Sequence, residues 1–340
     1  MRARPDKTLL VDWVAGAPRL VMHALEGREP GPGEVRYRVH AIGLNRADLA
    51  YMQGGHYTAT VYPSRICYEA AGVVDAVGDG VADFKVGDRV SAIPFGDHAY
   101  CVGAESAITP ADYLAEWPPG YSAAEAAATW MQYCTAYFPF KELAPVGRGD
   151  TVLVSAASSS AGLGAIQIAR LLGATVVAST RTSDKRDFLI RAGANHVVTM
   201  SAGGLAEQIL TSTGGAGVRV VYDAVGGRFI HEYADAVSAD AQIFIYGAVA
   251  GDSTIHAPIL PLIRKEAVIR LYSLINLARD VAAIRRARLF ISLALRARAL
   301  RPIVDRVFPF EQAAEGFEYM MSGAQRGKIV LLTTLGAEAA

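Results

Sequence analysis

Residues Ser158 to Gly162, small side chains lying between a short apolar run and a helical one, are the group in this sequence best suited to cradling a phosphate. A pyrophosphate can approach the backbone N–H groups at a helix N-terminus only where no side chain stands in the way. Ser158, Ser159, Ser160, Ala161 and Gly162 supply that absence of bulk. Taken from Ala156 the turn reads A-x-x-S-x-x-G, with Ser159 at the middle position of the usual dinucleotide pattern G-x-G-x-x-G. The same residues also suit a tight helix–strand packing turn that binds nothing. Where an NAD-binding fold places an acid for the ribose 2′-hydroxyl, the chain reads Ser179-Thr180-Arg181-Thr182-Ser183-Asp184-Lys185-Arg186. Arg181 offers a planar fork and Lys185 a point charge, which suits a 2′-phosphate and favours NADPH over NADH. The alternative is a solvated helix start with Asp184 as an ordinary first-turn acid.

The elements that must position these groups follow from periodicity. The apolar run from Thr151 to Val154 precedes the turn, helical spacing through Ile168, Leu171 and Leu172 follows it, and Gly173 stands where a helix C-cap glycine belongs. A second apolar run, Ala174 to Ala178, closes a β-α-β unit and implies a parallel sheet. Strand and helix patterns then alternate over residues 185–192, 196–198, 205–211, 218–222, 229–237 and 242–246, the pattern of a doubly wound fold. Strands ending at Asp223, Gly226, Gly227 and Gly247 would border a ligand crevice at the carboxyl edge of such a sheet.

The flanking sequence has another character. From Lys7 to about Ala127 short alternating runs such as Val35–Val39 and Arg89–Ile93 are separated by glycine turns, predicting a compact barrel-like β domain with irregular loops at 51–68 and 94–110. An alanine-rich helix over Ser122 to Tyr137, with Ser122 as N-cap and Glu125 completing a capping box, carries the chain between the two parts. A basic helix runs from Asp280 to Leu300. Its arginines could form a nucleic-acid arm, but Val281, Ile284, Ile291 and Leu295 make an apolar face beside which arginine stems pack. Runs at 303–308 and 328–333 predict two strands that return to complete the first domain.

With 33 basic and 33 acidic residues among 340, there is no electrostatic case for nucleic acid or an anionic membrane surface. No uncharged apolar run is long enough to span a bilayer and the opening MRARPDKTLLVDW has no signal-peptide core, so a soluble cytoplasmic protein is expected. Cys67, Cys101 and Cys134 are scattered without a C-x-x-C pair, which argues for reduced thiols, although a zinc site assembled from distant residues is not excluded by the count.

Six motifs in order, G-x-N-R-A-D (Gly43 to Asp48), E-A-A-G-V-V (Glu69 to Val74), V-G-D-R-V (Val86 to Val90), the small-residue turn, V-x-D-A-V-G-G (Val221 to Gly227) and G-K-I-V (Gly327 to Val330), resemble the medium-chain dehydrogenase/reductase superfamily over nearly the whole chain. The branch they look most like is the zinc-independent quinone oxidoreductase and enoyl reductase type. The resemblance implies a GroES-like catalytic domain from residues 1–127 and 267–340, a Rossmann domain from 128–266, an active site in the cleft and a homodimer joined through the nucleotide-binding sheets. It also exposes departures. Where zinc-dependent relatives place their first Cys ligand this chain has Asn45, the His of their G-H-E motif is Tyr68, and the third-ligand segment reads Trp130-Met131-Gln132-Tyr133-Cys134. No zinc-binding set survives, and only Cys101 lies where a structural zinc lobe would fall.

Without that Lewis acid the favoured reaction is hydride delivery from NADPH to a quinone or an α,β-unsaturated carbonyl, whose charge on a conjugated oxygen hydrogen-bond donors can stabilise. The resemblance places a donor tyrosine in the loop after Asp48, so Tyr57 is expected as proton donor, then Tyr51 and then His56. It implies Asn45 at the nicotinamide ribose or the substrate oxygen, and Tyr68, Trp130 and Tyr133 as an aromatic wall for a hydrophobic substrate. It further implies Thr135 near the nicotinamide, Gly247 beside the adenosine-side strand ends, and Arg326 or Lys328 at the cofactor. Each tyrosine and Trp130 could instead be simple packing. Asp48 and Glu69 are expected to be structural, paired with Arg46, Arg65 or backbone. Two other readings stay open: a trans-acting enoyl-thioester reductase, and a zeta-crystallin-like nucleotide-binding protein without redox turnover.

Overall fold

The computed structural model describes residues 5–338. Contacts divide the chain into two units, one holding the residues up to Met131 and from Ile275 on, the other Gln132–Leu274.

In the second unit, the β-branched runs TVLV, TVVAST and VRVVYD are buried almost throughout, as strands covered on both faces must be. They lie in a six-stranded sheet ordered His196–Thr199, Thr175–Thr180, Thr151–Val154, Val218–Asp223, Val237–Ile245, Val268–Leu271, with every pair parallel. The order reverses between Thr151–Val154 and Val218–Asp223, so the carboxyl ends of those two strands flank the topological switch point where doubly wound sheets bind ligands. Helix Ser160–Leu171 ends as its sequence predicts: Gly173 has φ +93°, its N–H donates to the Arg170 carbonyl at 3.0 Å, and the Ala174 N–H donates to the Ala169 carbonyl at 3.0 Å. At the far edge, Val268–Leu271 is exposed along its length, Leu271 by 70%.

The first unit is built on the eleven-residue strand Glu34–Leu44, which pairs antiparallel with Glu69–Val77, Ser106–Pro110 and Lys328–Leu332. The returning strands do complete this unit. Val304–Pro309 runs parallel to Lys328–Leu332, whose Ile329 lies opposite Leu44 and Val330 opposite Gly43. Strands Asp6–Val14, Ala17–Leu25 and Ser64–Arg65 form a smaller sheet. A core including Val35, Tyr37, Ile42, Leu49, Ile66, Phe310, Phe317 and Leu331 fills the unit, each large apolar side chain contributing about 1.5–3 kcal/mol of transfer free energy.

The basic helix, Val281–Arg296, buries Ile284, Ala287, Ile291 and Leu295. Its arginines tie it to the first unit: Arg285 to Asp112 at 2.7 Å, Arg288 to the Leu114 carbonyl at 2.8 Å, and Arg296 to Glu116. The packing reading of that helix thus describes these arginines better than a nucleic-acid arm.

The single helix expected over Ser122 to Tyr137 is interrupted. It consists of Ala123–Ala126, opened by the anticipated Ser122/Glu125 capping box, then Trp130–Tyr137, followed by a π-helical turn at Phe138–Leu143 that contains Pro139. The break has a tertiary cause. The Glu69 carboxylate accepts the Met131 N–H at 2.9 Å and so starts a new helix, an arrangement local propensity could not reveal.

Candidate active site

Ser155 ends the strand Thr151–Val154 at the switch point, and its hydroxyl donates to Asp223 Oδ1 at 2.9 Å while accepting the Ala224 N–H at 2.8 Å. Asp223 also accepts the Val225 N–H at 2.7 Å and the Tyr233 hydroxyl at 3.1 Å, which opposes the upward push that burial gives its carboxyl. The Asp of V-x-D-A-V-G-G is therefore the knot joining two strand ends. Gly247 follows the next strand, whose loop is laced to the same knot by the Tyr246 N–H on the Asp223 carbonyl at 2.9 Å and the Val249 N–H on the Ala224 carbonyl at 3.0 Å.

Next comes the small-residue turn. Ala156 takes φ +45°, a left-handed conformation that the usual fingerprint assigns to glycine. Ser159 is the N-cap of helix Ser160–Leu171, its hydroxyl oxygen accepting the Gly162 N–H at 3.1 Å. A Cβ on Gly162 would lie 2.7 Å from the Ala157 Cα, so the close approach of helix to strand requires glycine there. Capping leaves first-turn amides, those of Ser160 and Ala161 among them, without an intrahelical acceptor, and Ser158 to Ala161 are all partly exposed. Lys185 is 8% exposed and its ammonium donates to the Ser158 hydroxyl at 3.1 Å, which puts a cation against the turn, while Arg181 is exposed just beyond strand Thr175–Thr180. First-turn amides without an intrahelical acceptor, a serine-lined helix start and an adjoining ammonium fit a dinucleotide diphosphate. Deeper in this unit the Tyr222 and Tyr246 rings stack at 4.1 Å, and the buried Tyr272 hydroxyl has no hydrogen-bond partner among the described residues.

Of the expected neighbours on helix Trp130–Tyr137, Thr135 is 7% exposed and Tyr133 is fully buried with its hydroxyl donating to Gln167 at 2.9 Å. Trp130 is fully buried in the first unit, its indole N–H donating to Ser91 at 2.7 Å.

The first unit gathers Asn45, Asp48, Glu69 and Lys328 into one buried network. Asn45 caps helix Arg46–Met52, and its backbone N–H donates to Asp48 Oδ2 at 2.8 Å. The Asn45 amide donates to Glu69 Oε1 at 3.1 Å and accepts from Lys328 Nζ at 2.6 Å, and Lys328 Nζ also donates to Glu69 Oε1. Gly43 permits this convergence, since a Cβ there would stand 2.2 Å from the Ala127 carbonyl oxygen and 2.7 Å from Lys328 Cε. Of the expected partners of Glu69, Arg46, Arg65 or backbone, the structure shows backbone, the Met131 N–H at 2.9 Å, and adds Lys328.

Asp48 is fully buried and its Oδ1 has no partner among the described residues. Burial pushes its carboxyl up from 3.8 to about 7, against the opposing Asn45 N–H and Lys328 charge. A carboxyl that holds its proton more tightly in the fold than in the unfolded chain lowers stability as pH rises from about 4 through 7, by up to roughly 4 kcal/mol. Denaturant titrations at pH 5 and pH 8 should therefore show a loss of stability that Asp48→Asn reduces; an equal loss in the variant would mean that Asp48 does not titrate in this window.

Beside this network lies a cluster of rings. Tyr51 is 1% exposed, and its hydroxyl meets Ser64 Oγ at 3.0 Å and accepts the Val61 N–H at 3.1 Å. His98 stacks on the Tyr51 ring at 4.1 Å, and its Nε2 lies 3.3 Å from the Tyr68 hydroxyl. His56 packs against Tyr57 at 4.3 Å, and Tyr57 is 57% exposed. His98 was missed by sequence reasoning: it sits in an irregular loop, and nothing in its spacing marks it.

Residues 31–148 match the family model described as alcohol dehydrogenase GroES-like domain, and residues 161–286 match that of zinc-binding dehydrogenase. A 2-haloacrylate reductase of Burkholderia sp is 30% identical to this chain, over 93% of it and 96% of the relative. The chain belongs to the medium-chain dehydrogenase/reductase superfamily, in its quinone oxidoreductase-like branch. Among solved structures of similar fold is Escherichia coli quinone oxidoreductase complexed with NADPH, with TM-score 0.86, 27% identity, and coverage of 96% of this chain and 99% of that one. A 199-residue stretch is also 37% identical to a phthioceranic/hydroxyphthioceranic acid synthase of Mycobacterium tuberculosis (strain ATCC 25618 / H37Rv), covering 58% of this chain and 9% of the synthase.

The second family description names zinc, and the donors present here do not fit it. Asn45 offers an amide already bound on both sides, Glu69 is neutralised by the Lys328 ammonium, and burial raises the Tyr68 phenol far above the range in which it would ligate as an anion. Among the described residues no group of three or more His, Cys, Asp or Glu is placed to hold a metal ion. No helix among them is long and apolar enough to cross a membrane.

Proposed function

We propose that this protein is an NADPH-dependent reductase of conjugated acceptors, quinones or α,β-unsaturated carbonyl compounds. The observation that carries the proposal is the closed Asn45–Glu69–Lys328 network beside a tyrosine–histidine cluster: Asn45 and Tyr68, at the positions the resemblance matches to zinc ligands, are bound to a cation and to a histidine. Alcohol–carbonyl exchange concentrates negative charge on one oxygen, which the Lewis acid of zinc-dependent relatives stabilises, whereas reduction of a conjugated acceptor spreads that charge and is favoured where donors and a proton are supplied without one. Bound NADPH supplies the hydride. Ser158 to Gly162 would hold its diphosphate and Lys185 with Arg181 its 2′-phosphate, while Asn45, whose amide hydrogens go to Gly43 and Glu69, would have only the second lone pair of Oδ1 to offer a ribose hydroxyl.

The test is a fluorescence titration with NADPH and NADH, then NADPH oxidation against a panel of quinones, enones and enoyl thioesters. Replacing Lys185 and Arg181 by alanine should narrow the preference for NADPH at least tenfold, and an unchanged ratio would place the 2′-phosphate elsewhere. Binding without turnover on any acceptor would favour a nucleotide-binding protein without redox activity. A carrier-bound enoyl thioester is the second reading, favoured by the stretch shared with the mycobacterial synthase. We further propose a homodimer through the exposed edge strand Val268–Leu271, which has unpaired backbone groups and apolar side chains to cover. Light scattering should give twice the 36.1 kDa chain mass.

A further inference from the structure

Three tyrosines of the first unit are candidates for the proton that must follow the hydride, and their surroundings separate them. Tyr57 is 57% exposed, and water would surround its hydroxyl. Tyr51 has its hydroxyl engaged on both sides, by Ser64 Oγ at 3.0 Å and the Val61 N–H at 3.1 Å. Tyr68 is 6% exposed, and among the described residues its hydroxyl meets a single partner, His98 Nε2 at 3.3 Å, which leaves one hydrogen-bonding direction for a ligand.

The histidine is held as a relay would need. Its ring lies on Tyr51 at 4.1 Å with 23° between planes, and its Nδ1 is 3.7 Å from Cys101 Sγ, so both nitrogens have partners and the ring cannot turn without losing them. Tyr68, Cys101 and Ile275 pack together with Ala47 and Met131 against them. Burial raises both the Tyr68 phenol and the Cys101 thiol, so each keeps its proton near neutrality. The ring is half-buried and open to recharging from solvent.

We propose that Tyr68 is the residue that gives the acceptor its proton and that His98 is the positioning residue that restores it. The assignment rests on the function proposed above. The β-carbon of the acceptor gains the hydride and its π pair moves to the conjugated oxygen. The Tyr68 O–H bond breaks as its proton passes to that oxygen, and the phenolate so formed takes the Nε2 proton of His98 in its imidazolium form. Neutral His98 then takes a proton from water, so one proton passes from solvent to product and both side chains return to their starting state.

The groups facing His98 are Tyr51, His56, Tyr68 and Cys101, with Asp97 beside it. Burial holds the ring below its ordinary 6.5, opposed by the Asp97 carboxylate. The kcat of the parent should accordingly fall as pH rises through a titration on the acid side of 6.5.

The experiment compares the parent with Tyr68→Phe, His98→Asn, His56→Asn and Tyr57→Phe, using NADPH affinity by fluorescence, KM, the kcat–pH profile on an enone, and the His98 ring resonances by NMR. Tyr68→Phe keeps the ring packing and should lower kcat by about 100-fold or more, with KM and NADPH affinity within about twofold of the parent, and should shift the His98 resonances. His98→Asn should lower kcat and remove the titration, which His56→Asn and Tyr57→Phe leave in place. Full turnover in Tyr68→Phe, a titration that survives in His98→Asn, or His98 resonances that ignore Tyr68→Phe would each overturn the assignment and leave the proposed function standing. A parent protein that reduces no acceptor would remove the function and this assignment together.

Discussion

Replacing Lys328 with methionine is expected to cost the fold roughly 3–5 kcal/mol, enough to unfold much of the population of an ordinary domain at 37 °C. The Lys328 and Glu69 side chains are 0% and 1% exposed, so removing the ammonium leaves a carboxylate in the interior with only the Asn45 amide and the Met131 N–H to hold its charge. The pair itself need contribute little, because desolvating two charges offsets most of their attraction. The cost comes from breaking it on one side. A second variant tests this account: adding Glu69→Gln to Lys328→Met should recover a large part of the loss in a denaturant titration. If the double variant is as unstable as the single one, methionine's shape or the lost Asn45 contact is responsible and not an uncompensated charge.

Gly162→Ala should damage the second unit and its serine-lined turn together. The added carbon would stand 2.7 Å from both the Ala157 Cα and its carbonyl oxygen and 2.8 Å from the Ala156 oxygen, all backbone, so no side chain can swing aside. The helix start must lift away from the strand. We expect a stability loss of roughly 2–3 kcal/mol and, because the lifted amides no longer converge, NADPH affinity reduced by tenfold or more. Thermal unfolding and a fluorescence titration measure the two effects. Ala156→Gly is the matched control. It removes left-handed strain at φ +45° in the same turn and should raise stability by about 1 kcal/mol without weakening NADPH. Normal affinity in Gly162→Ala would show that the diphosphate is not held by this helix start.

The nucleotide-binding unit was readable because its demands are local. A strand needs a β-branched run, a phosphate turn needs small residues within a few positions of it, and a helix stop needs glycine, so Thr151 to Ala178 spells out its own structure. Around Asn45 the reading ran out for a stated reason. Lys328 reaches Glu69 across 259 residues of chain, and no window of sequence holds both. The resemblance brought Lys328 to the cofactor, and the partners expected of Glu69 were Arg46, Arg65 or backbone, while the fold binds Glu69 to the Met131 N–H and to Lys328. The interrupted helix near Thr129 is a second instance of the same limit, since its new start is set by Glu69 from another element. His98 is a third: its importance comes from the rings of Tyr51 and Tyr68 against it, and these meet only after the loop has folded.

The strand Lys328–Leu332 imposes an order on synthesis. Residues 132–274 are contiguous, so everything their sheet needs is present in the chain once Leu274 is made. The earlier part of the chain must wait, because Leu44 and Gly43 have no partners along one edge, and Glu69 no counter-ion, until Ile329 and Val330 are translated. Until strand Lys328–Leu332 is made, residues 34–77 therefore carry an open β edge and an unmatched carboxylate, and the nascent chain is vulnerable to mispairing there.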